Sequence, residues 1–232
     1  MPYAKALALG VLAFLAFSLP PYLTGHTRVP ATFPLHYPLL VAHVMLAAVA
    51  MVTAVAQLWP GLRARRPALH RRCGRVYVAT AIPAAGCAVI VGAATPFGPF
   101  LAVSNVALGI LWLWFTITGF LAARQRRFPE HRRQMILSAT LALSVISNRI
   151  WTPILFISLQ PLRDNVFGGN GDHYLWFVAG AGGWLGWTMP FFAVRRWLGR
   201  RSALSARKQF FGNRTELSDD VGRRADGSEL PH

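Results

Sequence analysis

The sequence predicts an all-α, polytopic membrane helix bundle with six transmembrane helices, and three observations carry that expectation. Of the 232 residues, 54% are hydrophobic and only 14% charged, whereas a soluble domain carries about 25% charged residues. The mean hydropathy of +0.39 is concentrated in six apolar runs, each near the roughly 20 residues a spanning helix needs. The basic residues, finally, crowd into alternate connections between those runs.

The first run, 5–24, begins with Lys5 and closes on "LPPYL". A signal peptide is its competing reading, with small residues at Ala16 and Ser18. The run is long and its proline pair makes a poor cleavage region, so an uncleaved helix is expected. Runs 38–60, 76–96, 100–123, 135–159 and 174–194 come next, rich in the Gly, Ala and Pro that membrane helices tolerate. Residues 1–198 should form the membrane domain. Residues 199–232 turn polar and are expected to be a disordered tail.

The net charge of +16 comes from 24 Lys and Arg against 8 Asp and Glu. Six Arg lie in 61–75, five in 124–133, six Lys or Arg in 195–208 and three beyond, together 20 of the 24. The other connections, 25–37, 97–99 and 160–173, hold only Arg28 and Arg163. This is the positive-inside pattern, and it predicts that both termini face the cytoplasm. Anionic headgroups at that face, not nucleic acid, are the expected partners. Lys occurs only at 5 and 208; Arg-over-Lys usage with high Ala points to a GC-rich bacterial genome and the inner membrane. Cys73 and Cys87 lie about 21 Å apart along one predicted helix, too far to pair.

All eight acidic residues fall outside the apolar runs: Glu130, Asp164, Asp172, Glu216, Asp219, Asp220, Asp226 and Glu229. Intramembrane carboxylate relays and carboxylate-held metals are thereby excluded. "GAGGWLG" at 180–186 follows no strand, so it reads as a small-residue face for close helix packing and not as a nucleotide loop. The polar residues inside the runs are few. His43 lies near one end of its run, and Asn148 and Arg149 lie in the middle of theirs. An arginine at that depth costs at least ~2.5–3.5 kcal/mol on insertion scales, so it needs compensation. Pro153 cannot donate to the Arg149 carbonyl four residues back. An outward-open polar pocket of His43, Asn148 and Arg149 is the functional expectation; snorkelling is the structural one.

One phrase is written twice. "RARRPALHRR" at 63–72 and "RQRRFPEHRR" at 124–133 share six identical positions at an offset of sixty-one. Pro67 and Pro129 suit the first position of a helix, where a missing N–H costs nothing. His70 and His131 then sit in the opening turns of two helices, ringed by Arg71, Arg75, Arg132 and Arg133. A neutral imidazole there can coordinate iron or zinc, while Arg and the helix N-terminus bind phosphate or carboxylate. Duplication of a helical hairpin is the architectural reading, and chance similarity of Arg-rich loops is the bland one.

"LVAHVMLAAVAMVTAVAQ", "RRPALHRRCGRVYV", "PEHRRQMILS" and "NR" at 148–149 resemble a family of bacterial multi-pass membrane proteins catalogued as a domain of unknown function. The resemblance covers roughly residues 38–190. Its most specific run is matched by His70, Arg71, Gly74, Arg75 and Tyr77. His43, Gln57, His131, Arg132, Arg133, Met135 and Arg149 match its other marked positions, and Gln134 stands where such proteins tend to have Trp. The resemblance implies six to seven helices and no particular activity. A weaker analogy links His70 and His131 to helical cytochromes of the b561 type. On that analogy they would hold one b-type haem, with Arg meeting the propionates and Val76, Ile136 and Leu137 walling an apolar slot. The fourth run has no His to face His43, so a second haem of that pattern would need His36 or His173.

Two expectations emerge: a b-type haem redox protein, or a binding or transport protein for an anionic lipid or small metabolite. A non-catalytic membrane subunit is the third. No catalytic residue is assigned, and no metal beyond the candidate haem iron.

Overall fold

Each apolar run becomes helix. The computed structural model describes residues 2–25 and 29–226, and all their regular elements are helical. These are α1 (Pro2–Ser18), α2 (Pro20–Leu23), α3 (His36–Leu58), α4 (Pro60–Arg65), α5 (Pro67–Ala93), α6 (Pro99–Arg124), α7 (Phe128–Ser158), α8 (Gln160–Asn165) and α9 (Gly171–Asp226).

Among the described residues, five helices are long and apolar enough to cross a membrane: α3, α5, α6, α7 and the Gly171–Leu204 part of α9. The expected sixth is shorter. The first run breaks at Ser18, because Pro20 and Pro21 cannot donate to the preceding turn and instead open α2. α1 still packs inward. Val11 is buried with Met51 and Val55 of α3, and Leu143, Val145 and Ile146 of α7 join the same cluster. The helix therefore covers the groove between α3 and α7.

Side-chain pairs define an up-and-down arrangement. His43 meets Ala84 and Gln57 meets His70, so α3 and α5 run antiparallel. α6 packs on α5 and α7 on α6. The bundle thus has an arginine-rich end, holding the α3–α5 and α6–α7 connections, and an arginine-poor end, where α3 starts and α7 stops. The first part of α9 packs antiparallel on α7, where Gly182 faces Thr152 and Gly186 faces Asn148. A Cβ on Gly186 would come 2.7 Å from the Asn148 Cα, so the small-residue face serves close approach of backbones. Gly98, at φ +86°, turns the chain from α5 into α6.

A closed polar circuit ties α5, α6 and α7 together at mid-bundle. The Trp112 indole donates to Tyr77 Oη (3.2 Å), which donates to Ser138 Oγ (2.6 Å). Ser138 donates to Thr116 Oγ1 (2.7 Å), which donates to the Trp112 carbonyl (2.7 Å). The directions are dictated, since indole only donates and a carbonyl only accepts. Every hydroxyl is used, and all four residues are buried.

The chain divides into two compact units, 1–191 and 192–232, a boundary seven residues before the expected one. Residues 199–226, expected to be disordered, continue α9 as helix. Their scarcity of large apolar side chains argues against a core, but Ala, Leu, Arg, Lys and Glu all favour helix locally. Residues 227–232 of the expected tail lie outside the described residues. Within the second unit, Arg201 stacks 4.1 Å over the Trp197 ring one turn away.

Candidate ligand cavity and the arginine-rich end

A cavity of about 460 Å³ opens among α1, α3, α5, α6, α7 and the first part of α9, within the usual range for small-molecule sites. Its walls are mainly aliphatic and aromatic, and His43, Asn148 and Arg149 all line it. So do further polar residues that sequence reasoning does not assign to it, among them His36, Asn105 and Thr152. No carboxylate lines the cavity.

His36 is the first residue of α3 and His43 lies two turns on. Seven residues bring the chain back to the same face, about 10 Å further along the axis. This spacing was a legible signal for pairing His36 with His43. His43 Nδ1 donates to the Ala84 carbonyl (2.9 Å), which leaves Nε2 as a bare acceptor. At His36, Nδ1 lies 2.7 Å from Thr32 Oγ1, which lies 2.8 Å from the Ala94 carbonyl. The Thr32 hydroxyl donates to the Ala94 carbonyl. The backbone N–H of Thr32 donates to His36 Nδ1 at 3.3 Å. His36 is 1% exposed, and its Nε2 is buried without a partner.

On the facing helix, Thr152 Oγ1 donates to Asn148 Oδ1 (2.8 Å), leaving the Asn148 amide N–H groups toward the cavity. Arg149 is exposed at the cavity wall and so forms part of its rim. Among the described residues it meets no carboxylate, and the one ion pair there joins Arg127 to Glu130. The Trp112 ring lines the cavity while its N–H feeds the polar circuit, so the circuit floors the cavity.

At the arginine-rich end the second halves of the repeated phrase each start a helix, whereas the first halves differ: Arg63 and Arg65 lie in α4, and Arg126 takes φ +60° in a turn. Arg66 and Arg127, sixty-one apart, are the N-caps of α5 and α7. The N–H groups of His70 and His131 make the first helical bonds back to their carbonyls, at 3.0 and 2.9 Å. Pro67 is the first residue of α5, whereas Pro129 is the second of α7. The two helices run parallel in a shared register, because Tyr77 and Ser138, also sixty-one apart, are hydrogen-bonded. His70 and His131 lie two turns closer to the helix starts, at one level, near enough to interact electrostatically.

The side chains diverge where the backbones agree. His131 Nδ1 donates to the Gly119 carbonyl (2.8 Å), freeing Nε2. His70 is held through its own carbonyl by the Gln57 amide (2.6 Å), and its Nδ1 is buried without a partner. Gln134 Oε1 is likewise buried and unpartnered. Arg71, Arg75, Arg132 and Arg133 are exposed around this layer. Among the described residues no group of three or more potential ligands converges for a metal. Val76, expected to wall a haem slot with Leu137, is 43% exposed, whereas Leu137 is 3% exposed. His173 stands apart, its ring against Trp176. Cys73 and Cys87 are free thiols.

A family model described as predicted membrane protein (DUF2306) matches residues 40–166, more than half of the chain. The chain belongs to the DUF2306 family. The DUF2306 match runs from Leu40 to Val166 and takes in α5, α6 and α7 whole, with most of α3. His43, His70, His131 and Arg149 fall inside it, and His36 just before it. No curated protein and no solved structure matches the chain.

Proposed function

We propose that this DUF2306 protein binds a small amphipathic anion in the cavity between its helices, for uptake or transport at the arginine-poor face. One observation carries the reading: Arg149 stands at the rim of a mostly apolar cavity with no carboxylate on its walls to neutralise it. A guanidinium so placed is satisfied by a carboxylate or phosphate brought by a ligand. The apolar walls take the ligand's hydrocarbon part. On the positive-inside pattern, the connections 61–75 and 124–134 face the cytoplasm, in contact with anionic headgroups, and the cavity opens on the opposite side of a bacterial inner membrane.

Octanoate is the test ligand, with the protein in phosphatidylcholine nanodiscs. 8-Bromooctanoate should quench the fluorescence of Trp112 and Trp187, and octanoate should compete with it. Octylammonium should not compete, and Arg149→Gln should weaken binding about tenfold or more. Equal competition by the ammonium would sink the anion reading. Orientation is tested separately with single cysteines at Ala64 and Asn165 and an impermeant maleimide in intact cells; labelling at 64 with protection at 165 reverses it.

A second reading keeps His70 and His131 as ligands to a b-type haem. It is favoured by the Nδ1 bond of His131 to a carbonyl, which presents Nε2 as metal-bound histidines do. Expression with haem precursor should then yield a Soret band that is lost in His70→Ala and in His131→Ala. A colourless, folded protein refutes it.

A further inference from the structure

We infer that this cavity selects its anion by tail length, stopping an extended saturated chain of about ten carbons on Trp112, Met51 and Leu141. The inference rests on the anion-binding reading and narrows its ligand class. Thr116 of α6 and Ser138 of α7 meet at 2.7 Å, which fixes the relative level of these two antiparallel helices. Eleven residues from that pair toward the arginine-poor end stand Asn105 and Arg149, and both line the cavity. They mark one polar layer, with Asn148 beside it. Only four residues from the pair stand Trp112 and Ala142, which also line it. The innermost lining residues are Trp112 on α6, Leu141 on α7 and Met51 on α3.

Between the polar layer and this floor the walls are chiefly aliphatic. On α3, α6 and α7 the polar exceptions are His43 and Ser144, and both are committed to carbonyls. His43 Nδ1 donates to Ala84 (2.9 Å) and Ser144 Oγ to Leu141 (2.7 Å). The floor is closed. Beneath Trp112 lies the circuit of Tyr77, Thr116 and Ser138, each at most 1% exposed, and Met51 packs against Val11 and Val55. Seven to eight residues of helix separate the layer from the floor, about 10–12 Å. An extended chain advances roughly 1.25 Å per bond, so about eight or nine bonds fill that depth. Decanoate fits it, and tetradecanoate does not.

The probes are octanoate, decanoate, dodecanoate and tetradecanoate, each displacing 8-bromooctanoate from the full-length protein in phosphatidylcholine nanodiscs. Affinities are referred to the aqueous acid measured at equilibrium. A buried methylene adds about fourfold, so decanoate should bind about tenfold tighter than octanoate, and tetradecanoate no tighter than decanoate. Ala142→Leu, which raises the floor, should erase the advantage of decanoate. Leu141→Ala, which lowers it, should make dodecanoate about tenfold tighter than decanoate. Unchanged octanoate binding reports an intact fold in each variant; if one misfolds, the other decides. A fourfold rise per carbon that continues through tetradecanoate overturns the inference, as does a plateau that moves in neither folded variant. Either result leaves the anion reading standing where binding still depends on Arg149. If no acid competes, both fall.

Discussion

Two polar clusters lie inside this bundle, and they are built on opposite principles. The circuit of Tyr77, Ser138, Thr116 and Trp112 uses every hydroxyl, and its chain of donors begins and ends on one tryptophan. The cavity beside it holds His36, His43, Asn105, Asn148 and Arg149 with acceptors and donors left over. A complete network in low dielectric pins helices together, whereas an incomplete one is costly unless something else completes it. The difference separates a structural polar core from a candidate binding site by counting hydrogen bonds.

The circuit is the easier to break. Tyr77→Phe leaves Ser138 without its donor and the Trp112 indole without its acceptor, at about 1–3 kcal/mol for each orphaned group. Reversible unfolding in mixed micelles should show that loss. Octanoate affinity should stay within about twofold if the circuit only floors the cavity.

Gly186→Ala probes the wall and not the network. Its new Cβ would press on the Asn148 backbone, and overpacking of this kind costs about 1–3 kcal/mol. The same unfolding assay reads it, and octanoate binding should fall in parallel because Asn148 lines the cavity. A mutant as stable as the parent would show that α9 does not approach α7 so closely.

Arg149→Gln should give the mirror image of Tyr77→Phe. Stability should change by no more than about 0.5 kcal/mol, as for surface positions, while octanoate binding is lost. Arg149→Lys should recover only part of it, since a point charge replaces a bidentate fork. A large stability loss in Arg149→Gln would move Arg149 from the site into the scaffold and erase the contrast.

The smallest effect is expected at the exposed Arg127–Glu130 pair, which lies in neither cluster. Glu130→Ala should cost about 0–1 kcal/mol, less at high salt. A larger loss would mean that the start of α7 depends on this pair.

The two histidine pairs show how far a sequence can be read. His70 and His131 announced themselves through a repeated phrase, and the structure repeats its helix start: N-cap arginine and first hydrogen bond. Their side chains part company. His131 donates to the Gly119 carbonyl of α6, whereas the His70 ring carries an unpartnered nitrogen. His36, just before the second apolar run, and His43, inside it, were legible only as a seven-residue spacing. That spacing acquires meaning once α5 and its C-cap supply the Ala84 and Ala94 carbonyls.

By itself the sequence determined what depends on nearest neighbours and on solvent. Apolar run length fixes which segments can cross a bilayer, the prolines fix where α5 and α2 begin, and the absence of acidic residues from the runs excludes carboxylate chemistry within them. The break after Ser18 was also written there, in Pro20 and Pro21, although run length alone concealed it. Only the tertiary structure decided which polar groups are finished and which are not. Tyr77 and Ser138 are sixty-one residues apart, and His36 lies more than a hundred from Arg149. Whether such groups satisfy one another depends on helix faces and register, which side-chain packing across the whole bundle sets and no local pattern encodes.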